Sequence, residues 1–399
     1  MISVVLPCVF VLVIAVSFGL YGAMMGFFWL ALIRRGGRPV RPLPSSPPRV
    51  SILKPLAGND DELDDNLESF SGIEYPSFEI LLGVADGSDP ACRAARAFVA
   101  RHPELDAKLV ITDGRAAANP KVAQLMGLER VATGEVYVIS DSNVRVGETY
   151  LRSLIAELSD PEVGLVTSLF SGTGERTLGA AVENLQICAS TAPGIASTAA
   201  VTGRPLTVGK SMALRRSDLA RLGGFAALGH VLAEDHLLGR LILAAGLKAR
   251  LSFDLVENRN ITCSMARTIE RHTRWAKMRR SLFPSGFAVE PLLSPVVMST
   301  AWLLVAPSKI ALGAWVLACL TQTVCTLVSA RFLRGSRVVW WFAPLEIVRA
   351  YLAAFCWLRA WESRRIAWRG HPFILHRGSV IVPLVSERHE SATRERFAA

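Results

Sequence analysis

The chain has 399 residues, 51% of them hydrophobic, with a formal net charge of +10 and a mean hydropathy of +0.34. This apolar content excludes an intrinsically disordered chain, and the length accommodates one sizeable domain together with membrane segments. The basic excess gathers beside apolar runs and in the C-terminal segment, which fits contact with anionic lipid headgroups and argues against a nucleic-acid partner.

Residues 1–33 contain no Asp, Glu, Lys, Arg or His. About 20 apolar residues cross a bilayer core, so this stretch is expected to be an N-terminal transmembrane anchor. A cleaved signal peptide would start basic and carry a shorter apolar core. The Pro/Ser-rich segment 34–48 is a linker leaving the membrane. From residue 49 the pattern alternates. "RVSILK" (49–54), "FEILLGV" (78–84), "KLVIT" (108–112) and "VYVIS" (136–140) are β-like, while 61–70, 89–102 and 120–132 are helix-like. Continuously apolar strands joined by helices indicate a parallel sheet covered on both faces. In such sheets ligands bind beyond the carboxyl ends of the strands, which makes those ends the place to look for chemistry.

Two of those ends carry an aspartate. "VADGSDPA" brings Asp86, and "ISDSNVRV" brings Asp141. Between them "NPKVAQL" places Lys121 at a helix start. Taken singly, Asp86 is a turn residue, Asp141 a helix cap and Lys121 an exposed charge. Taken together they fit a nucleotide-diphosphate site, in which a carboxylate holds a divalent cation and Lys121 adds a charge toward the phosphates. No Gly-x-x-x-x-Gly-Lys-Ser/Thr loop is present, which argues against an ATPase. "AEDHLLGRLI" (233–242) sets Glu234, Asp235 and His236 before an apolar helical run; its plain reading is acidic side chains at the positive end of a helix dipole. "MARTIERHTRWAKMRRSLFP" (265–284) is a basic amphipathic helix whose plain role is a membrane-surface anchor. The segment "STAPGIASTAAVTGRPLTVGKSMAL" (190–214) is apolar and rich in small residues, which suits a lipid acceptor.

Residues 285–360 form the C-terminal membrane region. Segments 287–306 and 310–330 are expected to span, joined by a tight hairpin. Segment 338–359 carries Glu346 and Arg349, and charges at bilayer depth are expensive, so it is expected to lie in or re-enter the interface. Basic flanks at 34–41 and 331–337 place the middle of the chain, and a basic tail over 361–399, on the cytoplasmic side. The seven cysteines are scattered and are expected to be reduced, buried and without a catalytic role.

Six motifs in order, "VSILKPLAGNDDELDDNLESF", "VADGSDPA", "NPKVAQLM", "ISDSNVRV", "AEDHLLGRLI" and "RHTRW", resemble the ceramide glucosyltransferase family, glycosyltransferase family 21. The resemblance runs from about Val50 to Pro284. It implies a GT-A fold, a Rossmann-like nucleotide half and a mixed-sheet acceptor half, over 49–264, with transmembrane helices at both ends. It implies that Asp86 contacts the nucleotide, Asp141 binds Mg2+ or Mn2+, and Asp235 is the catalytic base. Arg271, Arg274 and Trp275 match the family's terminal motif on the 265–284 helix. It also implies a UDP-sugar donor and a lipid acceptor, ceramide first, with inversion at the sugar. Two departures stand out: the metal motif reads Asp-Ser-Asn where the wider pattern is Asp-x-Asp, and the terminal motif begins with Arg271 where processive synthases carry Gln. A hopanoid-polyol N-acetylglucosaminyltransferase, a processive polysaccharide synthase and a non-enzymatic membrane scaffold remain the alternative readings.

Overall fold

The computed structural model describes residues 2–36, 42–58, 61–335, 340–368 and 371–384. Parts of the expected linker, of the basic flanks at 34–41 and 331–337, and of the tail beyond 384 lie outside the described residues.

Helix α1 (Ile2–Gly36) leads into an α/β domain. Its first half runs β1 (Val50–Pro55), α2 (Leu63–Glu68), β2 (Phe78–Val84), α3 (Ala91–Arg101), β3 (Ala107–Ile111), α4 (Pro120–Val131), β4 (Val136–Ser140). Its second half continues with β5 (Val144–Arg145), α5 (Tyr150–Leu158), β6 (Val163–Thr173), α6 (Leu178–Gln186), α7 (Ala192–Thr202), β7 (Ser211–Arg215), α8 (Arg216–Arg221), α9 (Glu234–Ala244) and β8 (Lys248–Arg259). The strands form one eight-stranded sheet in the order β3-β2-β1-β4-β7-β6-β8-β5. The first four are mutually parallel, β7 runs antiparallel to both its neighbours, and β6 pairs parallel with β8. The expected GT-A-type division into a parallel half and a mixed half is therefore present.

The reason these segments are strands is visible in their side chains. Val50 and Ile52 of β1, Ile80 and Leu82 of β2, and Val136 and Val138 of β4 enter the core on one face, while Leu53, Leu81, Tyr137 and Ile139 enter the core on the other. Successive residues point to opposite faces, so a strand buried on both sides must be apolar throughout. The lower half of α1 joins the first of these cores through Tyr21, Met25 and Phe28 and lies along α7.

Beyond β8 come α10 (Met265–Leu282), α11 (Pro284–Ala288), α12 (Pro295–Val305), α13 (Lys309–Arg334) and α14 (Phe342–Glu362). Helices α1 and α13 are long and apolar enough to cross a bilayer. The expected span over 287–306 is not one helix. Pro291 and Pro295 lack the N–H donors a continuous helix needs, and the segment breaks into a short 3-10 turn and the 11-residue α12. At 1.5 Å per residue α12 is about 16 Å long, well short of the roughly 30 Å hydrocarbon core. Helix α14 packs across the base of the domain against α6 and α10, and it also touches α12 and α13. Glu346 and Arg349 are buried there as a 2.6 Å ion pair. Gln322 of α13 donates to Glu346 at 2.7 Å, and Arg349 donates to Gln186 at the end of α6 at 2.5 Å. The two charges thus answer each other inside the protein.

The segment expected as a tail is partly folded. β9 (Arg365–Trp368), β10 (His371–Leu375) and β11 (Ile381–Pro383) make a small antiparallel sheet. Its basic composition suggested a solvated end, but Ile366, Phe373, Leu375 and Ile381 alternate inward to pack on Leu232. Of the cysteines, all seven are free; five are buried, Cys325 is half-buried and Cys8 is exposed.

Candidate active site

The sheet register builds the site. β4 and β7 pair antiparallel as far as Ser140 opposite Ser211, so the next residues out, Asp141 and Lys210, face each other where the ladder ends. The Asp141 N–H donates to the Lys210 carbonyl at 3.3 Å. The Lys210 ammonium lies 3.2 Å from Asp141 Oδ2 and 2.9 Å from Asn143 Oδ1. From β1, Lys54 Nζ donates to the Asp141 carbonyl oxygen at 2.8 Å.

Helix α4 supplies Lys121. Asn119 caps that helix, accepting from the N–H groups of Lys121 and Val122 at 2.9 and 3.1 Å, and its amide donates to the Val231 carbonyl and to Glu234. This one side chain fastens α4 to the loop before α9. Lys121 Nζ then bridges Asp141 Oδ1 at 2.8 Å and Glu234 Oε1 at 2.9 Å, and reaches the Gly209 carbonyl at 3.5 Å. Burial opposes charge on both partners, but attraction wins. Lys121 is held well above the ordinary lysine range by Asp141 and Glu234, and Asp141 well below the ordinary carboxylate range by Lys121 and Lys210.

Asp235 is treated differently. Its Oδ2 accepts from the Gly209 N–H at 2.8 Å and its Oδ1 from the His236 N–H at 2.7 Å. Burial, and next the Glu234 charge, push its pKa up to about 6, against the opposing pull of Lys121 and the two N–H groups. Of the two adjacent acids, Glu234 is paired directly with Lys121, whereas Asp235 is held by two backbone N–H groups. A side chain at Gly209 would crowd this packing: a Cβ there would stand 2.7 Å from Lys121 Nζ and 3.4 Å from Asp235 Oδ2.

The loop before α9 is clasped by the C-terminal sheet. Leu232 N–H donates to the Ser379 carbonyl at 2.8 Å, Ile381 N–H to the His230 carbonyl at 2.9 Å, and Ala233 N–H to Ser379 Oγ at 3.3 Å.

The structure therefore brings together Lys121, Asp141 and Asp235. Asp86 stands on the same sheet edge beyond β2, two strands from Asp141; it is exposed, and its carboxylate accepts the Ser88 N–H at 2.8 Å in a turn, which lowers its pKa. Arg271, Arg274 and Trp275 ride on α10. Arg271 pairs with Glu183 of α6 at 2.5 Å, Arg274 donates to the Ala367 carbonyl of β9 at 3.1 Å, and the Trp275 ring meets His272 edge-on. Thr268, His272 and Ala276 form the buried face of α10, so this helix is an integral element packed on α6 and α14. It approaches the carboxylates through Phe283, whose ring lies 5.2 Å from that of His236.

Sequence reasoning missed Lys54, Lys210 and Gly209; Glu234 does stand in the first turn of α9, as expected, and its pairing with Lys121 was not foreseen. A signal existed for the lysines: each is a solitary ammonium in an apolar run next to a strand end.

A divalent cation does not fit the residues as they stand. Asp141 is a single carboxylate with both oxygens on ammoniums, its would-be partner is the neutral Asn143, and among the described residues no group of three or more His, Cys, Asp or Glu side chains converges.

Comparison with known proteins adds the following. Ceramide glucosyltransferase 1 of Caenorhabditis elegans is 29% identical over 246 residues, 61% of this chain and 53% of the worm protein. Ceramide glucosyltransferase 3 of the same organism is 28% identical over 249 residues, 62% and 54% respectively. The chain thus spans about half the length of these curated relatives. Among solved structures, the mannosyltransferase PcManGT of Pyrobaculum calidifontis, in complex with GDP-Man and Mn2+, aligns over 88% of this chain and 98% of its own at 21% identity and a TM-score of 0.49. The Glycosyl transferase family 21 model matches residues 10–381, nearly the whole chain, and the protein belongs to that family.

Proposed function

We propose that this chain is an inverting glycosyltransferase that moves a hexose, glucose in the favoured reading, from a UDP-sugar to the hydroxyl of a membrane lipid, with ceramide the favoured acceptor. Family membership and the names of the worm relatives support the reaction class. The observation that carries the mechanism is the Asp235 carboxylate, with its pKa pushed up to about 6 and its oxygens aimed by two backbone N–H groups. An aliphatic hydroxyl is a weak nucleophile; a carboxylate of that basicity takes its proton as the new bond forms. With Asp235 as the base and the Asp141 and Glu234 carboxylates both held by lysines, the hydroxyl oxygen attacks the anomeric carbon opposite the departing UDP, turning an α-linked donor into a β-linked product.

The acceptor side is read from packing. Helix α7 lies along α1 and runs on through 203–208 to Gly209, which holds Asp235. An apolar molecule guided along these helices arrives beside the base. The side of the membrane is read from charge. Arg35 at the end of α1 pairs with Glu157 at 3.3 Å, and Arg334 at the end of α13 pairs with Glu175 at 2.8 Å, so both basic helix ends abut the α/β domain. By the positive-inside rule that domain is cytoplasmic and the chain multi-pass.

The test is sugar transfer from UDP-glucose to ceramide in proteoliposomes. Asp235→Asn is expected to lose about 10²- to 10⁴-fold in turnover with UDP binding unchanged. In wild type, turnover is expected to fall as pH drops through about 6, because a protonated Asp235 accepts nothing. Transfer by Asp235→Asn within a few-fold of wild type assigns the base elsewhere. Turnover seen only with a hopanoid polyol and an N-acetylglucosamine donor moves the substrates, not the chemistry.

A further inference from the structure

We infer that the Lys210 ammonium stands where a divalent cation would bridge two carboxylates, and that this chain binds its nucleoside diphosphate without a metal ion. The inference rests on the donor reading above. The Asp-Ser-Asn motif at 141–143 has lost one negative charge relative to Asp-x-Asp, and a site short of one carboxylate needs less positive charge to balance it. Lys210 supplies that smaller charge in the bridging place, 3.2 Å from Asp141 Oδ2 and 2.9 Å from Asn143 Oδ1. Its position is set by the backbone. The β4–β7 ladder and the bond from Asp141 N–H to the Lys210 carbonyl fix its Cα opposite Asp141, so this is a cross-strand pair and not a surface lysine that swings in.

An incoming metal ion would find the other Asp141 oxygen on Lys121 and would sit beside two ammoniums, which repel it strongly in this half-buried site. The hydrogen-bond inventory separates the roles of the two lysines. An ammonium carries three donors. Lys121 faces three acceptors, Asp141, Glu234 and the Gly209 carbonyl, and is fully engaged as a strut. Lys210 faces two, which leaves one donor for a phosphate oxygen. Lys54, Lys121 and Lys210 together set three ammoniums against the Asp141, Glu234 and Asp235 carboxylates, so the lysines balance the acids of the cluster without a metal ion.

The experiment is UDP binding to the detergent-solubilised full chain, by isothermal titration calorimetry, in EDTA and in Mn2+. Wild type is expected to bind with the same affinity in both. Lys210→Ala is expected to bind about 10- to 100-fold more weakly, the loss of one charge-assisted hydrogen bond. The double variant Lys210→Ala/Asn143→Asp, which recreates two carboxylates around an open place, is expected to regain affinity in Mn2+ and to lose it in EDTA. Wild type that binds UDP only with Mn2+ overturns the inference and leaves the donor reading intact; so does Lys210→Ala binding as tightly as wild type. A cooperatively melting wild type that binds no UDP in either buffer overturns the donor reading, and the inference with it.

Discussion

At the scale of single residues, Gly209 decides how closely three groups approach. The atom its missing Cβ would strike, Lys121 Nζ, ends a flexible side chain, but that end is pinned by Asp141 and Glu234. Gly209→Ala must therefore break an ion pair or push the Asp235 loop outward. It is expected to destabilise the domain by about 1–3 kcal/mol, as overpacking does, and to depress transfer with it. A thermal melt and the transfer assay check both; a variant as stable and as active as wild type would show that the loop yields freely. Lys121 and Asp141 were legible because each stands at a secondary-structure boundary, Lys121 two residues past the Asn119 cap and Asp141 directly after β4. Lys210 was not, because its partner lies 69 positions away and only the antiparallel register of β4 and β7 brings them together. Asp86 keeps the turn role that its motif suggested, with its carboxylate exposed at the same sheet edge.

At the scale of elements, local pattern was a good guide wherever burial was symmetrical. β1, β2 and β4 are apolar at nearly every position because both faces are covered, so their limits could be read to within a residue or so. Two kinds of element escaped. Pro291 and Pro295 break a run that hydropathy alone reads as continuous. The C-terminal strands hide in basic sequence because only their inward residues are apolar, and their target, Leu232, is remote in the chain. That sheet gives an element-scale prediction. A chain ending at Ser363 keeps α1 and α13 and is expected to stay membrane-bound, but to lose transfer because the loop carrying Asp235 is no longer held. Alkaline extraction of membranes followed by the transfer assay checks this; full turnover would make the strands a passive appendage.

At the scale of the whole molecule, α14 carries an exposed row of Val348, Tyr351, Phe355 and Leu358 along one face, with Trp340, Trp341 and Trp361 exposed at its ends. Spacing of three and four residues makes that face continuous, and tryptophans flanking it suit a headgroup boundary. In a Cys8→Ser background, Arg377→Cys is expected to react with an impermeant maleimide only after lysis of the cells. Labelling of Arg377→Cys from outside would reverse the orientation. The clasp on the Asp235 loop has a further consequence, one that concerns synthesis. Strands β9–β11 follow helices α1 and α10–α14 in the chain, so the ribosome makes them after those helices. Until they fold, Leu232 and Ala233 lack their Ser379 partners and the loop that carries Asp235 is not yet clasped. A nascent chain whose last helices are still being made therefore carries an unclasped Asp235 loop, and the candidate site is completed only after those helices.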